Sequence, residues 1–157
     1  MRLNTFTDYA LRVLIHVAAR PTQRSTIGEI ATTFAISEHH LTKVVHFLGR
    51  EGFLRNVRGR GGGLELARKA EDINVGAVVR ATEGAPLAAE CFDTANDACT
   101  ITRVCRLRHV LRDAVNAFYD VLAQYTLADL VRNRAMLNKV LFMQAPPPVA
   151  HRTRAHG

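Results

Sequence analysis

The chain contains no stretch of about 18 consecutive apolar residues, so nothing in it reads as a membrane span. It opens with no signal peptide, and its three cysteines are an odd number that cannot pair off into a disulfide framework. That usage leads us to expect a reducing cytoplasm rather than secretion. With 48% hydrophobic residues, the 157-residue chain can bury a core without staples, and its length suits one domain or one small domain with an appended element. The glycines at 59–63 have no Lys-Ser/Thr after them and complete no G-x-G-x-x-G pattern, which argues against a nucleotide-binding loop. No acid–base pair or substrate motif is evident either, so the chain does not read as an enzyme.

What is present is an uneven positive charge. The net charge is +7; residues 1–72 hold 11 Lys and Arg against 7 acids, residues 73–131 hold 5 against 7, and residues 132–157 hold 5 against none. A basic N-terminal half suggests a polyanionic partner, with nucleic acid the first candidate.

The helical pattern begins in "TFTDYALRVLIHVAAR". Leu11, Leu14, Ile15 and Ala18 fall on one helix face, Thr5 with Asp8 has the form of a capping box, and Pro21 ends the run. A second helix follows in "TIGEIATTF", with Thr26 and Glu29 as its capping box and Ile27, Ile30, Ala31 and Phe34 on its apolar face. The short turn "AIS" leads directly into a third helix, N-capped by Ser37 and buried through Leu41, Val44, Val45 and Leu48. Two helices joined this closely match a helix-turn-helix, whose second helix enters the major groove.

The outward face of the third helix carries His39, Thr42, Lys43, His46 and Arg50, with Ser37 and His40 at its start. None of these is acidic and all can donate hydrogen bonds, as a DNA-reading surface requires. Phe53–Val57 and Leu64–Ala67 then alternate like strands around the glycines, forming a wing with Arg55, Arg58 and Arg60 at or near its tip. We expect the glycines to let the wing's backbone approach DNA closely.

"NVGAVVRATEG" predicts a short amphipathic helix ended by Gly84. Beyond it, Val104, Leu107, Leu111, Ala114, Phe118, Val121 and Tyr125 alternate spacings of three and four. That is the repeat of a helix packed along another helix. A long helix beyond a small domain has little core of its own, so self-association is expected, with packing back onto the winged part as the alternative. The expected organisation is a DNA-binding domain over 1–83, a cysteine loop over 84–105, a dimerisation helix region over 100–133 and a disordered basic tail over 144–157. The fold class is mainly α with a small β-hairpin wing: a winged helix-turn-helix plus a long dimerisation helix.

All three cysteines, Cys91, Cys99 and Cys105, lie in "CFDTANDACTITRVC". The spacing is not that of a zinc knuckle, but the segment has few large apolar residues to bury thiols. Cys105 also falls in the first turn of the long helix, where the dipole favours a thiolate. Three soft thiolates suit an iron–sulfur cluster or zinc. Glu90, Asp93, Asp97 and His109 are local candidates for a fourth ligand, and a residue from elsewhere in the fold or from a second subunit is equally open. Redox-active or inert thiols without metal are the alternative.

The opening "MRLNTFTDYALRVLIHVA", the block "GEIATTFAISEHHLTKVVHFLGREGFLRNVRGRGGGLELA", the loop "CTITRVCRL" and "YTLADLV" together resemble the bacterial iron–sulfur winged-helix repressors. The likeness is to their nitric-oxide-sensing, NsrR type, with the IscR type more distant, and it runs from Met1 to about Asn133. It implies a homodimer on a pseudo-palindromic operator in double-stranded DNA, with nitric oxide as the signal. It further implies that Cys91, Cys99 and Cys105 hold a cluster, 4Fe-4S or else 2Fe-2S, completed by Asp8 of the partner subunit. Arg108 stands where the IscR type places a histidine ligand, which disfavours that arrangement. A cluster-status or thiol-redox regulator of the same fold is the alternative function.

Overall fold

The computed structural model describes residues 3–84 and 99–142. The first helix, α1 (Thr5–Ala19), starts at Asn4, whose side chain accepts the Thr7 N–H at 2.7 Å. The expected Thr5–Asp8 capping box is therefore not formed. Asn4 is the better cap because Glu83 fixes it from outside, accepting its backbone N–H at 2.9 Å and a side-chain N–H at 3.2 Å. Thr5 is the first helical residue, and Asp8 lies one turn inside the helix.

α1 is buried more widely than one amphipathic stripe would be. Ala10, Val13, Leu14, Val17 and Ala18 are all buried, whereas Leu11 and Ile15 are only partly so. The cause is position: α1 runs through the middle of the fold, with helices and the wing packed around it. Each fully buried Leu or Val contributes roughly 1.5–3 kcal/mol of apolar transfer.

α2 (Ile27–Phe34) carries the expected Thr26–Glu29 capping box. Ala35, at φ 52°, turns the chain through the left-handed region, and Ser37 caps α3 (Glu38–Arg50) by accepting the His40 N–H at 3.4 Å. Leu41, Val44, Val45 and Leu48 are the buried residues of α3. The wing is β1 (Leu54–Val57) paired antiparallel to β2 (Gly63–Leu66), with Arg55 opposite Glu65. Ser25 lies along the free edge of β2; Leu64 donates to its carbonyl at 2.7 Å and accepts from its N–H at 3.2 Å.

That contact gives the wing glycines a second reason. At Gly63 (φ +146°) a Cβ would stand 2.9 Å from the Ser25 carbonyl oxygen, so close approach within the chain itself demands glycine there.

α4 (Val75–Glu83), capped by Asn74, receives α5 (Arg106–Ala123) across Val75, Val79 and Tyr119. The contact is tight: a Cβ on Gly76 would sit 2.9 Å from the Ala123 backbone nitrogen. The long helical pattern breaks at Gln124, because a Thr126–Asp129 capping box starts a new short helix, α6 (Leu127–Leu130). α6 returns to the core: Leu127 and Val131 are buried, and the Leu127 N–H donates to the Ile73 carbonyl at 2.8 Å. The weakly apolar segment beyond it forms α7 (Arg134–Phe142), whose Phe142 ring packs edge-on against His16 at 4.7 Å. The expected basic tail at 144–157 lies outside the described residues, as do Glu90, Cys91, Asp93 and Asp97.

Candidate nucleic-acid interface and ligating residues

The burial of Leu41, Val44, Val45 and Leu48 dictates which way the rest of α3 faces. Ser37, His39, His40, Thr42, Lys43, His46 and Arg50 are all exposed, along one continuous surface. Thr42 donates to the Glu38 carbonyl at 2.8 Å, and Arg50 lies over the Phe47 ring beside Glu51. A cleft of about 490 Å³ separates α3 from the wing, lined by Val45, Leu54 and Leu64 among apolar groups and by Thr42, His46 and Arg50 among polar ones.

The wing extends this surface, with Arg55, Arg58 and Arg60 exposed. Arg58 and Arg60 form no salt bridge among the described residues, whereas Arg55 pairs with the carboxylate of Glu65. Glu65 is shared. Its second oxygen accepts from Arg24 at 2.9 Å, and Arg24 also donates to the Gly61 carbonyl at 3.0 Å. Arg24, with Arg55 behind it, holds the Glu65 carboxyl below the ordinary carboxylate range. Sequence reasoning missed Arg24 and Glu65. The strand register puts Glu65 opposite Arg55 and was readable in principle, but Arg24 joins them only through the folding of the α1–α2 connection.

The ligating residues divide into two places. Cys99 is exposed and Cys105 half-buried. They are joined by two tight turns, Thr102 N–H to the Cys99 carbonyl and Cys105 N–H to the Thr102 carbonyl. Cys105 is the N-cap of α5, with extended backbone, rather than a residue of its first turn. It remains at the positive end of the helix. His109 Nδ1 faces the Arg112 guanidinium at 2.6 Å. Among the described residues no group of three His, Cys, Asp or Glu side chains is placed to hold a metal, and Cys91 is not among them. Asp8 is elsewhere: half-exposed on α1, it lines an open cleft with Leu3, Tyr9, Arg12 and Phe34.

A profile of the Rrf2 family, described as iron-dependent transcriptional regulator, matches residues 3–133. The chain belongs to the Rrf2 family. Within it, the HTH-type transcriptional regulator NsrR of Bacillus subtilis strain 168 is 49% identical over 145 residues, covering 92% of this chain and 99% of that protein. The protein of the same name from Geobacillus kaustophilus is 47% identical over 142 residues, 90% and 97% of the two chains. Among solved structures, CymR, the global cysteine regulator of B. subtilis, superposes with a TM-score of 0.65 at 28% identity, over 85% of this chain and 98% of that one.

As an Rrf2 regulator the chain is not an enzyme, and its winged helix-turn-helix is the family fold. The Rrf2 match ends at residue 133, one residue before α7. The helix that closes over His16 thus lies outside the matched part. Among the described residues no helix is long and apolar enough to cross a membrane.

Proposed function

We propose that this regulator is a homodimeric repressor that binds a pseudo-palindromic operator, and that an iron–sulfur cluster lets nitric oxide release it. The donor set suits such a group: Cys91, Cys99 and Cys105 would hold it as soft thiolates, and Asp8 of the partner subunit would complete it. Bound there, a 4Fe-4S cluster would supply iron that reacts with nitric oxide.

The observation that carries this reading is the setting of Asp8. Among the described residues it caps nothing and pairs with the exposed Arg12 alone, and the residues flanking it touch the recognition helix. Phe6 packs edge-on against Phe47 at 5.3 Å, and Tyr9 lies 6.5 Å from the His40 ring. A tie made at Asp8 would therefore bias the orientation of α3, and losing it would shift the population towards a dimer geometry that fits its operator poorly. The two NsrR relatives are named as HTH-type transcriptional regulators, which supports the DNA-binding part of this reading.

Support for the dimer comes from α5 and the turn before it. Val104, Leu107, Val110, Leu111, Val121 and Tyr125 leave a large apolar surface exposed on one chain. Iron and acid-labile sulfide in anaerobically purified protein, followed by nitric oxide titration against spectrum and DNA binding, test the proposal. Protein without iron and sulfide would overturn it. The exposure of Cys99 favours one second reading, a thiol-redox regulator; its protein would be colourless and would release DNA on thiol oxidation.

A further inference from the structure

The wing places one carboxylate among its arginines, and the reading of α3 and the wing as the DNA-facing surface gives that carboxylate a consequence. Arg55 is 68% exposed and reaches Glu65 across the strand pair, so its guanidinium stands at the surface that would meet a phosphate. Glu65 is only 25% exposed and cannot follow it outwards, because Arg24 holds its other oxygen at 2.9 Å. Arg24 is itself fixed by the Gly61 carbonyl at 3.0 Å, and its neighbour Ser25 is hydrogen-bonded to Leu64 of β2. A doubly held, part-buried carboxylate thus faces an exposed arginine. Arg58 and Arg60, further along the same wing, have no such competitor among the described residues.

We propose that Glu65 is a specificity determinant, competing with DNA phosphate for Arg55 so that Arg55 is surrendered only to a duplex that seats the wing correctly. On a poorly fitting duplex, leaving Glu65 costs as much as the phosphate contact returns, and Arg55 stays where it is. On a fitting duplex the other contacts bring the phosphate within reach of Arg55 at no extra ordering cost. Glu65 therefore weakens loose binding more than tight binding, which is how a repulsive or competing element produces discrimination. Arg24 is the positioning residue of this arrangement: it shares Glu65 with Arg55 and keeps the carboxylate from following Arg55 outwards.

The test measures binding of the full chain to a duplex selected from a random pool by the unaltered protein, and to a scrambled duplex of the same composition, over a range of salt. Glu65→Gln should bind the scrambled duplex about fivefold more tightly per subunit, with a salt slope steeper by about one, the value of one added phosphate contact. Its preference for the selected duplex should fall accordingly. In an Arg55→Gln background the same substitution should have no effect, because there is nothing left to compete for. A gain that persists without Arg55 would show simple removal of negative charge and overturn the proposal, as would an unchanged slope. Arg24→Gln gives an independent reading: it leaves Glu65 to Arg55 alone, so the slope should become shallower, again only when Arg55 is present. If Glu65→Gln and Arg24→Gln both weaken binding to the two duplexes alike, Glu65 is merely a brace for the wing. Failure of the unaltered protein to select any duplex would instead overturn the DNA-facing reading beneath it.

Discussion

Asp8 Oδ2 lies 2.9 Å from the Arg12 guanidinium, one turn further along α1, with both side chains 44% exposed. An exposed pair at this spacing contributes only about 0.3–0.5 kcal/mol. Asp8→Ala should therefore leave the thermal midpoint almost unchanged and the protein dimeric, while control of DNA binding by nitric oxide is weakened. Melting curves and DNA release under nitric oxide check this. Undiminished release in the variant would sink the bridging role of Asp8.

His16 Nδ1 sits 3.1 Å from the Ser25 hydroxyl, in a buried pocket closed by Phe34 and Phe142. Burial pushes its pKa down from 6.5 to about 4, with Glu29 opposing and Arg20 assisting. The folded protein thus refuses a proton that the unfolded chain accepts. Its contribution to stability is complete above pH 6.5 and is lost as pH falls towards about 4, amounting at most to about 3 kcal/mol. His16→Phe should flatten denaturant stability across that window, at a cost of about 1 kcal/mol near neutrality for the orphaned Ser25 hydroxyl.

Gly63→Ala tests the attachment of the wing. A Cβ would meet the Ser25 carbonyl at 2.9 Å in a backbone conformation that side chains rarely adopt. A loss of about 1–3 kcal/mol is expected, with DNA affinity falling more than global stability alone explains. Equal affinity in the folded variant would show that the wing's seat does not matter to binding.

The exposed stripe on α5 predicts the assembly. Leu107→Glu with Val121→Glu replaces two residues that are 62% and 54% exposed in one chain. Within a monomer such changes should alter stability by no more than about 0.5 kcal/mol each. If this stripe is the dimer seam, sedimentation should show the variant as a monomer and its operator affinity should collapse. A variant that still sediments as a dimer places the seam elsewhere.

Much of the fold was legible because its signals are local. Thr26 with Glu29, Ser37 before α3, and the apolar spacing of Leu41, Val44, Val45 and Leu48 each depend on neighbours within a turn or so of helix. The outward set from His39 to Arg50 follows from that spacing alone. Thr5 and Asp8 mimic the same signal and misled it, since Asn4 outcompetes Thr5 only with the help of Glu83, 79 residues away.

Composition, periodicity and capping thus settle that this chain builds a helix-turn-helix with a basic face and a wing, since helix and hairpin formation are governed by short-range geometry. The thiols, too, announce themselves by their clustering. The remaining features arise from long-range meetings that no spacing encodes. Arg24 reaches Glu65 across 41 residues, and α6 returns to bond with Ile73. His16 sits on a helix too central to keep a polar side. Packing brings these groups together, and packing is decided by the whole set of buried surfaces at once.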